Sequence, residues 1–158
     1  MGMGAAMSRT VLVIDDDPDV LDTMYVLLSM EGYDVRCARS GFDALDILAR
    51  EPLPALVITD LMMPDLTGWD VLAAMRAEPT LRDIPVVLTT AASWDSLPEG
   101  VYALQKPFKL DELMAVVWTY CPPVWRAGDQ APQGHQSDVG RSAPPPPNGL
   151  VTTPRPSW

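Results

Sequence analysis

The chain has 158 residues, of which 47% are hydrophobic, so it is long and apolar enough for one ordinary packed domain. Its 21 acidic and 11 basic residues give a formal net charge of −10, which argues against nucleic acid or an anionic membrane as the main partner. Neither a bilayer-spanning apolar run nor a secretory signal is found, so we expect a cytoplasmic protein.

The sequence contains two cysteines, Cys37 and Cys121, and a single histidine, His135. Two thiols cannot form a disulfide framework or a cysteine-based zinc site, and one imidazole excludes a metal site with two histidine ligands. Because His135 lies in a polar segment, a Ser-His-Asp triad is also disfavoured.

Composition divides the chain into three segments. Nine of the 17 prolines fall within residues 122–158, which show no helical or strand periodicity. We therefore expect a disordered leader at 1–8, one folded domain at 9–121 and a disordered proline-rich tail at 122–158. A docking function of the tail is the alternative, which Trp125 and Trp158 keep open.

The predicted elements of the domain alternate between strand and helix. Asp17 and Pro18 predict the start of the first helix, as its N-cap and first residue, and Gly32 predicts its end. The predicted strands are Thr10–Ile14, Tyr33–Ala38, Ala55–Thr59, Pro85–Thr89 and Val101–Gln105. The later helices are predicted from Ser40 to Pro52, over Gly68–Ala77 and over Leu110–Tyr120.

The strands are continuous apolar runs, which is typical of a parallel sheet covered on both faces. Right-handed crossovers then predict a doubly wound α/β fold, with its site at the carboxyl ends of the strands. Only 11 residues, from Thr90 to Gly100, separate the fourth and fifth predicted strands. Because a crossover with its helix needs at least about 10–12 residues, we expect a shortened or missing fourth helix.

Five polar residues stand at the predicted carboxyl ends of the strands: Asp15, Asp16, Asp60, Thr90 and Lys106. Neighbouring carboxylates would repel each other by about 4 kcal/mol per pair at 4 Å, so a divalent cation is expected among them. Oxygen ligands favour Mg²⁺, which also binds substrate phosphate. An aspartate beside a metal, a hydroxyl and an ammonium group is placed to attack phosphorus and hold the acyl phosphate.

These residues also have purely structural interpretations. Asp15 and Asp16 could serve only as an acidic helix cap, and Asp60 as an Asx turn where a loop begins. Lys106 could be a solvated charge, and Thr90 a capping hydroxyl.

At VLVIDDDPDVL, LVITDLMMPDLTGWDVL, PVVLTTA and QKPF the chain resembles the receiver domain of bacterial two-component response regulators, of the chemotaxis-regulator type. The resemblance covers roughly residues 9–120. It implies a flavodoxin-like fold with a five-stranded parallel sheet of order 2-1-3-4-5. It also implies that Asp60 is the phosphoacceptor. Asp15, Asp16 and Asp60 would bind Mg²⁺, helped by the backbone carbonyl of Met62.

The resemblance implies further roles at the fourth and fifth strands. Thr90 would donate its hydroxyl to a phosphoryl oxygen, and Lys106 would pair with the acyl phosphate, with a cis peptide before Pro107. Family members usually carry an aromatic switch residue three positions before the lysine, where this chain has Ala103. Strand alternation sends the neighbouring Tyr102 to the opposite face, so we expect a different conformational relay.

Family kinetics also depend on the side chains two positions after the acceptor and two after the threonine. These are Met62 and Ala92 here, and neither can orient a water molecule by hydrogen bonding. We therefore expect a long-lived phospho-Asp60.

The function implied is a stand-alone receiver that takes a phosphoryl group from a histidine kinase or phosphotransfer protein. It would pass the signal to an unidentified downstream protein, and its only chemistry would be phosphorylation and dephosphorylation of its own Asp60. One alternative is a degenerate receiver that binds partners without phosphorylation. Another is a haloacid dehalogenase-like phosphatase, whose Asp-x-Asp pattern Asp15 and Asp17 match. The aspartate that a small phosphodonor labels separates these alternatives.

Overall fold

Five runs of mostly β-branched and aliphatic residues form one parallel sheet in the computed structural model, which describes residues 9–91 and 101–122. The strands are β1 (Thr10–Ile14), β2 (Asp34–Ala38), β3 (Leu56–Asp60), β4 (Val86–Thr90) and β5 (Val101–Gln105). They pair in the order β2-β1-β3-β4-β5. The doubly wound α/β fold and its strand order are therefore confirmed.

Four helices lie within the described ranges: α1 (Pro18–Met30), α2 (Gly41–Leu48), α3 (Gly68–Ala77) and α4 (Leu110–Tyr120). The side chains of Asp17, Ser40 and Thr67 each accept a hydrogen bond from a backbone N–H in the first turn of α1, α2 and α3. These bonds satisfy N–H groups that have no partner inside the helix. After α1, Gly32 takes a φ of +89°, a conformation that glycine adopts without steric cost.

Helix α2 ends earlier than the sequence predicted. It stops at Leu48, with Ala49 as its C-cap, whereas the sequence predicts that it runs until Pro52. The proline ring disfavours helical backbone at Glu51, so the helix has to close before that residue. The Glu51–Pro52 peptide is cis.

Alternation along the strands divides the core into two layers. Val11 and Val13 of β1 pack with α1 and α4, while Leu12 and Ile14 pack with α2 and α3. Every residue of β1, β3 and β4 is buried, because helices cover both faces of these strands. The apolar layers thus hold the carboxyl ends of the central strands at fixed relative positions.

Several predictions concern residues outside the described ranges. The leader 1–8 and, apart from Pro122, the tail 122–158 are among them. So are residues 92–100 of the connection between β4 and β5, and the shortened or missing fourth helix therefore stays a prediction. In the part of the chain that the structure covers, no helix has the length and apolar character needed to cross a membrane.

Candidate functional site

The predicted site residues meet at the carboxyl edge of the sheet. Strands β3 and β4 each run one residue further than predicted, so Asp60 and Thr90 are the last residues of their strands. Asp15 follows β1 directly, and Lys106 follows β5. The backbone N–H of Lys106 donates to the carbonyl oxygen of Thr90 at 2.6 Å, which ties the ends of β4 and β5 together.

Three carboxylates form a cluster at this edge. One oxygen from each of Asp15, Asp16 and Asp60 lies within 4.8 Å of the other two. Asp15 is 2% exposed and Asp60 9%, whereas Asp16 faces solvent. Oδ1 of Asp15 accepts a hydrogen bond from the backbone N–H of Asp17 at 2.9 Å. All three ligands are carboxylate oxygens, and the cluster is open to solvent on one side. Such a site fits a hard divalent cation such as Mg²⁺.

Within residues 9–91 and 101–122, Lys106 is the cation whose contacts with this cluster are seen. Its Nζ donates to Asp15 Oδ2 at 2.9 Å and lies 3.7 Å from Asp60 Oδ1. Among the residues that the structure describes, one ammonium group beside three carboxylates leaves a formal charge of −2. This remaining charge favours a divalent cation over a monovalent one.

The pKa of Asp60 is set by several effects that oppose each other. Burial raises its pKa, and the negative charges of Asp15 and Asp16 add to this, while Lys106 and the backbone N–H of Met62 lower it. The net result is a raised pKa, so the carboxylate oxygen is more basic than that of an exposed aspartate. A basic oxygen held at a fixed position is suited to nucleophilic attack.

For Lys106 the balance favours the ammonium form. Burial lowers its pKa, but the hydrogen bond that Lys106 donates to Asp15 and the charges of Asp15 and Asp60 outweigh it, so the pKa is raised. The positive charge is thereby retained beside the acids. Thr90 is completely buried next to Lys106, and the Lys106–Pro107 peptide is cis, as the sequence predicted.

The remaining predicted positions fall as follows. Met62 is 69% exposed, and its carbonyl stays a predicted metal ligand. Ala103 is buried in the layer of α2 and α3, whereas Tyr102 packs in the other layer, edge-to-face on Tyr120 with ring centroids 5.3 Å apart. Ala92 lies outside the described residues.

Gly68 supports the site, and the sequence had suggested only a turn there. A Cβ on this glycine would lie 2.7 Å from the carbonyl oxygen of Asp60 and 3.0 Å from the Cα of Leu61. The backbone N–H of Gly68 also donates to the Leu61 carbonyl at 2.9 Å. Helix α3 therefore begins in direct contact with the backbone of Asp60. A glycine directly after the Thr67 N-cap is the only signal of this in the sequence.

The fold and the site together define a flavodoxin-like α/β protein with an acidic cluster at the carboxyl edge of its sheet. The family model of the response regulator receiver domain matches residues 11–118, and the chain belongs to this family. The resemblance seen in the four sequence blocks is thus confirmed.

Known relatives agree with this assignment. The response regulator MprA of Mycobacterium bovis is 40% identical over 117 residues, which cover 69% of this chain and 49% of MprA. The chain thus spans about half the length of the curated relatives it matches. Among solved structures, a response regulator receiver domain protein from Clostridium thermocellum has a TM-score of 0.65 at 27% identity, covering 71% of this chain and 93% of that one.

A further structural neighbour was solved with a metal. The receiver domain of the Pseudomonas aeruginosa sensor histidine kinase PA1611 has a TM-score of 0.65 at 22% identity, over 73% of this chain and 99% of that one. At this identity the similarity shows the fold. In that protein a magnesium ion is coordinated in the active site cleft.

Proposed function

We propose that the chain is a phosphoacceptor signalling module in which Asp60 takes a phosphoryl group from a histidine kinase or phosphotransfer protein. The observation that carries the proposal is the convergence of Asp15, Asp16 and Asp60 within 4.8 Å, with Lys106 Nζ 3.7 Å from the Asp60 carboxylate. In the transfer, an Asp60 oxygen forms a bond to phosphorus while the bond from phosphorus to the donor nitrogen breaks.

The three aspartates would hold Mg²⁺, and the Met62 carbonyl is the further ligand that we propose. When bound, the ion would neutralise charge on the phosphoryl oxygens and on the carboxylates around them. The oxygen donor set supports this assignment, and the magnesium found in the PA1611 receiver domain is consistent with it.

The other residues act on the phosphoryl group. Lys106 supplies a positive charge that compensates the acyl phosphate on Asp60, and its two ion pairs already point it toward this position. Thr90 supplies a hydroxyl at the end of the adjacent strand. The added negative charge on Asp60 is the input signal, and the segment after Thr90 is the element that it would shift.

The output would pass to a partner protein, because the module's only chemistry is the phosphorylation and dephosphorylation of Asp60. We propose that it acts in the cytoplasm. The phosphatase alternative gains no support from the site, because Asp17, which that mechanism would use, caps α1 through its bond from the N–H of Asp19.

Incubation with acetyl phosphate and Mg²⁺, followed by mass spectrometry of borohydride-trapped peptides, tests the proposal. We expect one phosphoryl group on Asp60, none in Asp60→Asn, and unchanged labelling in Asp46→Asn, an exposed carboxylate outside the cluster. A label on Asp15 would instead support the phosphatase. A folded protein that takes no label from any donor would be a receiver that binds partners without phosphorylation.

A further inference from the structure

A second surface feature lies apart from the acidic cluster. A cavity of about 430 Å³ opens between α1, β2 and the start of α2. Apolar and acidic residues line it together, among them Pro18, Asp22, Tyr25, Cys37, Arg39 and Asp43. Neither the acidic cluster nor Lys106 contributes to it, so its chemistry is not explained by phosphoryl transfer.

Helix α1 also exposes three large apolar side chains. Tyr25 is 51% exposed, Val26 53% and Met30 78%. Tyr25 lines the cavity, whereas Val26 and Met30 lie one turn apart on an adjoining side of the helix, because consecutive residues are rotated by about 100°. The carboxyl end of α1 lies close to Cys121, because Tyr33, three residues after the end of this helix, donates its hydroxyl to the Cys121 carbonyl at 2.5 Å. The residues after Cys121 therefore begin at the carboxyl end of α1.

These later residues contain a segment whose chemistry complements the cavity. The sequence from Arg141 to Pro147 reads RSAPPPP. Polyproline II has three residues per turn, so Arg141, Pro144 and Pro147 would lie along one edge of such a helix. Proline edges of this kind bind grooves lined by aromatic side chains, as Tyr25 offers here.

The charges of the two segments and the length of the linker between them both favour this pairing. Residues 1–121 carry 19 acidic and 8 basic side chains, whereas residues 122–158 carry three arginines and two aspartates. The cavity is lined by two acidic side chains, Asp22 and Asp43, and by one arginine, so the cavity can bind the Arg141 guanidinium. The 18 residues between Pro122 and Arg141 span about 23 Å as a coil, close to the roughly 20 Å length of the 13-residue helix α1.

We propose that the segment 141–147 of the same chain docks into this cavity beside α1. Pro144 and Pro147 contact Tyr25 and Pro18, and Arg141 pairs with the acidic side chains. When a linker matches the distance to be spanned, the effective concentration is on the order of 1 mM. A contact with a dissociation constant near 0.1 mM is then about 90% occupied within one molecule.

The thiol of Cys37 reports on this contact, because Cys37 lines the cavity and is partly exposed, whereas Cys121 is buried. Alkylation of the full chain by iodoacetamide, followed by peptide mass spectrometry, gives both rates at one pH. Substitution of Arg141, Pro144 and Pro147 by serine should speed alkylation of Cys37 about tenfold, since about 90% protection is lost. Alkylation of Cys121 should not change, which shows that the domain stays folded.

A matched control changes one arginine and two prolines outside the segment. Replacing Pro154, Arg155 and Pro156 by serine should leave the rate at Cys37 unchanged. The proposal is overturned if the 141–147 variant keeps the parental rate at Cys37, or if both variants speed it equally. Protection that disappears on dilution would assign the occupant to a second copy of the chain and would equally overturn the proposal.

Discussion

Gly68→Ala is the substitution that most directly tests how the fold positions Asp60, the proposed phosphoacceptor. The added Cβ would stand 2.7 Å from the Asp60 carbonyl oxygen and 3.0 Å from the Cα of Leu61. Both neighbours are backbone atoms of β3 and the loop after it, so no side chain can rotate away. To restore an ordinary contact of 3.4 Å, the end of β3 and the start of α3 must separate by about 0.7 Å.

The cost can be worked from this contact. Overpacking of this kind costs about 1–3 kcal/mol, and the better helix propensity of alanine returns at most about 1 kcal/mol. The free energy of unfolding should therefore fall by about 1–2 kcal/mol. Because a shift of about 1 Å at a reacting atom can cost roughly a hundredfold in rate, a shift near 0.7 Å should slow phosphorylation of Asp60 about tenfold or more.

Urea denaturation measures the first effect, and the rate of labelling by acetyl phosphate with Mg²⁺ measures the second. Gly41→Ala is the matched control, because Gly41 also follows a hydroxyl N-cap, Ser40, and its Cβ would meet Leu66 rather than Asp60. It should destabilise the protein without a comparable loss of labelling rate. If Gly68→Ala is labelled at the parental rate, or if Gly41→Ala slows labelling equally, the reasoning about Gly68 is wrong.

Three further outcomes are expected. Lys106→Met leaves the buried carboxylate of Asp15 without its ion pair and should lower the free energy of unfolding by about 2–3 kcal/mol in metal-free urea titrations, part of which added Mg²⁺ restores. Burial raises the pKa of Tyr120 from 10 to about 12. The stabilisation that its neutral phenol contributes is therefore present below pH 10 and lost between pH 10 and 12. Tyr120→Phe should flatten the dependence of the free energy of unfolding on pH in this range. Met62→Asn should speed the loss of phosphate from Asp60, because an amide can orient a water molecule where a thioether cannot.

Each of these has an outcome that contradicts it. An equally stable Lys106→Met variant in metal-free buffer would show that the ion pair contributes nothing net. An unchanged profile for Tyr120→Phe above pH 10 would mean that its phenol ionises as in the unfolded chain. If labelled Met62→Asn has the same half-life as the labelled parent, Met62 does not determine how long phosphate stays on Asp60.

Local signals predicted most of the elements. The predictions agree with the structure for the start of α1 at Asp17–Pro18, for its end at Gly32 and for the bounds of β1, β5, α3 and α4. The reason is that caps and apolar runs act over a few residues. The ends of β3 and β4 were each placed one residue short. In a parallel ladder the last paired residue depends on the neighbouring strand, such as Thr89 opposite Asp60, and no local pattern contains that information.

The site shows the same division. Residue types and their order already marked Asp15, Asp16, Asp60, Thr90 and Lys106, since strand ends collect at one edge of a parallel sheet. The ion pair of Lys106 with Asp15, rather than chiefly with Asp60, emerged only from the packed structure.

By itself, the order of apolar runs and caps determined a doubly wound α/β domain with acids at the ends of its strands. Tertiary structure alone decided how close those acids lie, how burial raises the pKa of Asp60, and why position 68 has no room for a side chain. The physical reason is that distance, desolvation and steric contact arise between segments far apart in the chain, and they exist only once the layers on both faces of the sheet have packed.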